Sequence, residues 1–411
     1  MAHLAVIAPP LAGHLAPLAV LGHKLVERGH RVTFVNQADA AGLIRSESIG
    51  FVTVGAHSHP PRSLEQRIAR MSRLNGPIGI RGLIRDVAAF TDMLCRELPA
   101  RLHSIGADAV IADQMEPAGG LVADYLGLPL VSVASALPIN REPGLPPPYL
   151  GWRFDDSPGG MRRNAGGWRV ADWLMRPANA VISRHAAAFR LPPRRRAEDC
   201  LSPTLELAQA VAGLDFPRRE LPAHFHYLGG FREGTDESLD WPEDGRPLAF
   251  CSLGTLQGGR AGIFRRVAKA CQGLGLRLVI AHGGRLSDRE AGELPGDPIV
   301  RDFVPQRAVL ARSRVAISHC GFNTILDALA CGVPILGLPL AFEQPATAAR
   351  LAYCGAGLVL SHRAGSRRIR HSLEALLGDS RHRVAAGRIQ DEIARAGGAG
   401  RAADLIEASL S

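Results

Sequence analysis

Short runs of uniform apolar character recur along this chain, separated by longer stretches whose apolar positions return every three to four residues. The runs include Leu4–Ala8, Ala109–Ala112, Leu130–Ser135, Leu248–Cys251, Leu276–Ala281, Val315–Ser318 and Val333–Leu338. They are rich in small and β-branched residues and do not alternate with polar ones, which predicts strands buried on both faces of a parallel sheet. Leu15–Arg28 predicts an amphipathic helix with Gly29 as its stop. Strand and helix signals alternate to the end of the chain, the pattern of an α/β fold. At 411 residues the chain is too long for one core and suits two domains. A stretch dense in Pro, Gly and charge marks the break. The predicted units are 1–219 and 248–390, with a connection at 220–247 and a final helix at 391–411 able to cross back to the first unit.

Candidate chemistry is concentrated in residues 303–344. Val315–Ser318 feeds a loop, His319-Cys320-Gly321, and then a helix for which Asn323 is the expected N-cap. The unpaired backbone N–H groups of that first turn and the helix dipole form an anion site, to which His319 and Thr324 can add donors. Asp327 follows Asn323 by four residues, on the same face, where a carboxylate can accept from ribose hydroxyls. Phe303 can stack on a base, with the Val304 backbone and the Gln306 amide reading its edge. Glu343 and Gln344 lie just past Val333–Leu338, at the sheet edge where open α/β sheets bind ligands. Ser252-Leu253-Gly254-Thr255, directly after Leu248–Cys251, lets backbone approach a diphosphate closely. His282 ends another strand on the same side and is a further candidate for the donor, although surface solvation explains it equally well.

At the other end of the chain, Pro9–Gly13 predicts a tight loop after the first strand, with His14 at the start of the helix. A helix N-terminus disfavours the imidazolium, leaving a neutral ring able to accept a proton. Asp113 ends the run Ala109–Ala112 and, in one parallel sheet, shares an edge with His14 and can orient its ring. His23, His30, His57, His59, His224 and His226 lack metal-ligand spacing and are read as structural or surface residues. Phe90, Met93, Met115, Leu137 and Tyr149 are placed as candidates for a second, apolar substrate, each also explicable as core. Leu137–Pro148 is a stiff proline-rich loop.

Composition narrows the classes. The chain is 46% hydrophobic, and no apolar run reaches membrane-spanning length. Seven scattered cysteines give no disulfide framework, and with no signal-peptide pattern the expectation is a reducing cytosol. Net charge is +9 and arginine-dominated, with runs such as Arg194–Arg196 and Arg367–Arg370, but aromatics are only 5% and do not interleave those runs, which argues against nucleic acid. Weak peripheral contact with an anionic membrane surface and a plain solvated surface are both open.

Residues 303–344 together resemble the donor-binding signature of the UDP-glycosyltransferases, with Phe303 where plant members carry Trp, Asp327 for a Glu, and Glu343-Gln344 for Asp-Gln. The resemblance implies two facing Rossmann-like domains with a cleft between them, the GT-B arrangement. It also implies that His14 is the catalytic base and Asp113 its partner, with Ser252 and Gly254 at the position of a family Ser-x-Gly. Further blocks, among them Asp113–Asp124, Ala136–Pro146 and Leu191–Pro203, resemble the carotenoid-glucosylating branch of the family. They imply metal-independent, inverting transfer of glucose from UDP-glucose to the ring hydroxyls of the carotenoid zeaxanthin, once or twice. A macrolide or flavonoid acceptor, a nucleotide-sugar epimerase and a non-catalytic nucleotide-binding protein are the alternatives.

Overall fold

The structure is a computed structural model describing residues 1–44, 46–73, 76–232, 239, 241 and 244–410. The first sheet comprises β1 (His3–Ile7), β2 (Arg31–Gln37), β3 (Gly50–Val54), β4 (Ala109–Asp113), β5 (Leu130–Ala134), β6 (Glu206–Ala208) and β7 (Phe225–Tyr227). The second comprises β8 (Leu248–Ser252), β9 (Arg277–Ala281), β10 (Ile299–Arg301), β11 (Ser313–Ser318), β12 (Ile335–Gly337) and β13 (Gly357–Val359). Every pairing is parallel. The strand orders are β3-β2-β1-β4-β5-β6-β7 and β10-β9-β8-β11-β12-β13.

Each order reverses once, between β1 and β4 in the first sheet and between β8 and β11 in the second. Ile7 is in register with Ala112, and Ser252 with Ser318. The segments leaving these strands therefore emerge side by side, at the crevice where open α/β sheets hold ligands. His14 and Asp113 leave one crevice, Gly254 and His319 the other. The predicted continuous apolar runs fall on β1, β4, β5, β8, β9, β11 and β12, all interior strands of their sheets, as expected where helices cover both faces.

Helix Gly398–Leu410 packs on helix Ala12–Glu27, placing Ala399, Ala402, Ala403 and Ile406 in one buried cluster with Leu15 and Leu18. A buried ionic node joins the two domains elsewhere. Arg350, on helix Gln344–Tyr353, donates from Nε to Asp215 at 2.6 Å and lies over the Phe216 ring at 4.3 Å. Arg218 and the Tyr227 hydroxyl donate to the other Asp215 oxygen at 2.8 and 3.0 Å. Although burial opposes its charge, the two guanidinium groups hold the Asp215 carboxyl well below the usual carboxylate range. Removing one partner of such a pair costs roughly 3–5 kcal/mol. All seven cysteines are free, and no helix of the described residues is long and apolar enough to cross a membrane.

Candidate active site

The first helix begins at Ala12, three residues before the predicted start, with Leu11 as N-cap. His14 thus sits in its first turn. Pro17, inside the helix, has no N–H to give to the carbonyl four residues back, so the Gly13 carbonyl is left without a helical donor. The Asn323 amide of the second domain fills that vacancy, donating from Nδ2 at 2.8 Å.

His14 Nδ1 lies 2.9 Å from Asp113 Oδ2, and the carboxylate is fully buried while the ring keeps 17% exposure. The second Asp113 oxygen accepts the Met115 N–H at 2.8 Å, which fixes the carboxylate plane. The expected suppression of the imidazolium is corrected here. Burial does work against the charged ring, but the Asp113 charge and hydrogen bond, with help from Glu343, outweigh it and raise the His14 pKa above 6.5. A fixed carboxylate at hydrogen-bond distance is a stronger influence than the partial charge of a helix end. Glu343, at the N-cap of helix Gln344–Tyr353, has its own pKa raised, by burial above all.

Across the cleft, helix Phe322–Ala330 has Gly321 as its N-cap, not Asn323, and no side chain caps it. The Phe322, Asn323 and Thr324 N–H groups therefore have no intrahelical acceptor. His319 is buried beside them. A Cβ at Gly254 would come within 2.7 Å of its Nε2, and one at Gly321 within 2.4 Å. Gly254 also has φ +71°, so glycine is required there twice over. Burial pulls the His319 pKa down to about 4, against a small opposing pull from the Ser252 carbonyl. Its Nδ1 is buried without a hydrogen-bond partner among the described residues. The ring is a neutral group at ordinary pH.

Asp327 is buried and held at both oxygens. Gln306 Nε2 donates to Oδ2 and Arg232 Nε to Oδ1, each at 2.6 Å. The Gln306 amide, expected at a base edge, is instead bonded to this carboxylate. Phe303 stands 64% exposed, with a cavity of about 490 Å3 beside it lined in part by Leu286, Val300 and Asp302. Val304 is half-buried and Thr255 exposed. Ser252 Oγ accepts the Gly254 N–H at 3.2 Å. Gln344 Oε1 accepts the Leu340 and Ala341 N–H groups, both at 2.9 Å, and so shapes the loop that carries Glu343.

His282 is neither solvated nor free. Its Nδ1 accepts from the Arg285 and Leu286 N–H groups and its Nε2 lies 3.1 Å from Asp302, so it pins its own loop. Among the apolar candidates, Phe90, Met93 and Leu137 are buried core, while Met115 and Tyr149 are exposed. The alternating placement of strand and helix residues gave no way to separate these two outcomes. The loop Leu137–Pro148 is non-helical as expected; Trp168 Nε1 donates to its Leu145 carbonyl at 2.9 Å. Of the histidines read as structural or surface residues, two are structural: His59 packs edge-on to Phe90, and His30 lies 3.1 Å from Glu407. Of the basic runs, Arg194, Arg196 and Arg370 are in ion pairs with Asp124, Asp172 and Glu374.

Arg232 is the residue that sequence reasoning missed. It lies in the connection, where Pro, Gly and charge read as punctuation, and only its position just after the buried Phe231 could have drawn notice.

Over 99% of its length the chain is 43% identical to a zeaxanthin glucosyltransferase of Pantoea ananas, covering 96% of that protein. It is 40% identical to a second zeaxanthin glucosyltransferase, of Pseudescherichia vulneris, over 100% of this chain and 98% of the other. Among solved structures, the calicheamicin glycosyltransferase CalG4 superposes with a TM-score of 0.79 at 23% identity, covering 100% of this chain and 98% of that one. Residues 2–389 match the family model described as UDP-glucoronosyl and UDP-glucosyl transferase. The chain belongs to the UDP-glucoronosyl and UDP-glucosyl transferase family.

Proposed function

We propose that this protein transfers glucose from UDP-glucose to the hydroxyl groups of zeaxanthin, giving the mono- and di-β-glucosides. Full-length similarity to two zeaxanthin glucosyltransferases supports the donor and the acceptor. The observation that carries the chemistry is the His14–Asp113 pair, fixed at 2.9 Å and looking onto a cleft whose far side bears an open helix N-terminus.

In this reading the Nδ1–H of His14 donates to Asp113, which leaves Nε2 to accept the proton of the carotenoid hydroxyl. The hydroxyl oxygen attacks the anomeric carbon as the bond to the diphosphate breaks, and the electron pair leaves with UDP. One direct displacement on an α-linked donor gives a β-product. The same Asp113 charge that raises the His14 pKa stabilises the imidazolium once the proton has moved. The free N–H groups of Phe322, Asn323 and Thr324 meet the charge developing on the diphosphate, and no metal is called on. Neutral His319 meets the phosphates as a hydrogen-bond donor, not as a cation. Asp327 accepts from the ribose hydroxyls, Phe303 stacks on the base, and Glu343 with Gln344 contacts the sugar. Ser252, Gly254 and Thr255 keep the diphosphate loop small. The enzyme works in the cytoplasm, with weak contact to anionic membrane surfaces through exposed Arg367 and Arg368.

Incubation with UDP-glucose and detergent-dispersed zeaxanthin, followed by mass spectrometry and NMR of the anomeric proton, tests the proposal. One or two added hexoses in β linkage are expected. UDP release only with another lipophilic alcohol would remove the carotenoid and keep the transferase. Conversion of the UDP-sugar without any acceptor would indicate an epimerase.

A further inference from the structure

The two halves of the cleft are not independent, and one side chain from the connection joins them. Arg232 spends four of its five N–H bonds. Its Nη1 donates to Gln209 Oε1 at 3.0 Å and to the Phe231 carbonyl at 2.8 Å. Its Nη2 donates to Asn323 Oδ1 at 2.8 Å and its Nε to Asp327 Oδ1 at 2.6 Å. Gln209 follows β6 in the first domain and is itself anchored, through Nε2, on the Ser135 carbonyl at 3.1 Å. Asn323, with its carbonyl oxygen held by Arg232, must present its NH2 outward, and that NH2 meets the Gly13 carbonyl that Pro17 leaves open. Gly13 is the residue before His14.

A continuous line of hydrogen bonds therefore runs from the first sheet through Arg232 to Asp327, and through Asn323 to the turn that carries His14. Its ends are the groups that the transferase reading places against substrate, Asp327 and the turn that carries His14. The planar guanidinium fork fixes two acceptors on one helix, Asn323 and Asp327, at a set separation, which a lysine cannot do. Asp327, clamped by Arg232 on one oxygen and Gln306 on the other, cannot rotate, and its remaining lone pairs are aimed in advance.

Resting on the transferase reading above, we infer that Arg232 is a positioning residue with two effects. It orients Asp327 to read the 2′-hydroxyl of a ribonucleotide, and through Asn323 and Gly13 it registers the base turn against the bound donor. Pro17 belongs to the same device, because an N–H at that position would reclaim the Gly13 carbonyl for the helix.

The test is calorimetric binding of UDP and of 2′-deoxy-UDP, which differ only in the hydroxyl concerned, combined with transfer kinetics. In the wild type UDP should bind more tightly than dUDP. Arg232→Met should weaken UDP roughly tenfold or more and remove most of the UDP-over-dUDP preference, since a hydrogen bond to a charged group is being misdirected. Arg232→Lys should fall between, keeping the charge beside Asp327 but not the fork. Pro17→Ala should leave UDP binding within about twofold yet lower kcat roughly tenfold, the signature of a misplaced base and not of a lost donor contact. Melting curves check that each variant is folded; if Arg232→Met is not, Arg232→Lys carries the ratio test. An unchanged UDP-to-dUDP ratio, including an equal loss for both nucleotides, would overturn the inference while the functional reading stands. No UDP binding by the wild type would overturn both.

Discussion

His14 of the first domain and His319 of the second are tuned in opposite directions. Each follows a central strand at a point where strand order reverses, His14 in the first turn of the helix after β1 and His319 in the loop between β11 and helix Phe322–Ala330. Each is largely buried, and burial alone disfavours charge on both. His14 has a carboxylate at 2.9 Å and a second, Glu343, within electrostatic reach, and its pKa rises. His319 has two glycines against its ring and no carboxylate, and its pKa falls to about 4. Burial is common to both rings; the neighbours set the direction of each shift, and in the proposed reaction one ring receives a proton while the other donates a neutral hydrogen bond. One ring suits proton transfer, the other suits a phosphate that a permanently neutral donor can hold and then release.

Breaking the comparison at its stronger end should have the largest effect. His14→Ala should reduce transfer by about 10²–10⁴-fold while UDP still binds, measured as initial rate beside calorimetric affinity. Asp113→Asn attacks the cause of the difference. In the proposed mechanism transfer requires neutral His14, so the rate rises with pH through its pKa; without the Asp113 charge burial prevails and that pKa falls. The acidic limb of the pH–rate profile should move to lower pH, with the plateau lowered roughly 10²-fold. On the other side of the cleft, Asp327→Asn should weaken UDP about 10–100-fold, with a smaller change in kcat. The mildest perturbation is Gly254→Ala, which pushes a methyl group against His319 at a left-handed backbone position. It should cost about 1–3 kcal/mol in thermal stability and loosen the donor, leaving the pH–rate profile of His14 in place.

How much of this could be read in the sequence depended on how local each signal was. The central strands were legible because burial on both faces forces continuous apolar runs; the places of His14, Asp113 and His319 were legible because they end those strands or lie in the segments that leave them, and that of Asp327 because it follows Asn323 by one helical turn. Helix starts were displaced, since Leu11 and Gly321 cap with backbone alone and offer no Ser, Thr, Asp or Asn to mark the place. Partners distant in sequence were not legible. Nothing near Gln306 announces that its amide will pair with Asp327, and nothing near Arg232 announces Asn323, 91 positions away. The His14 charge state was misjudged for the same reason: the helix end is local, whereas Asp113 lies 99 residues on and Glu343 lies in the other domain. The buried Asp215–Arg350 node, spanning 135 residues, left no trace in either segment.

An NMR titration of the ring Cε1–H signals, assigned through His14→Gln and His319→Gln, addresses the central claim directly. The account predicts a His14 midpoint above the ordinary 6.5 and a His319 signal that stays neutral until the pH approaches about 4. A His14 midpoint below 6.5, or a His319 that titrates near neutrality, would contradict the division of labour between the two rings.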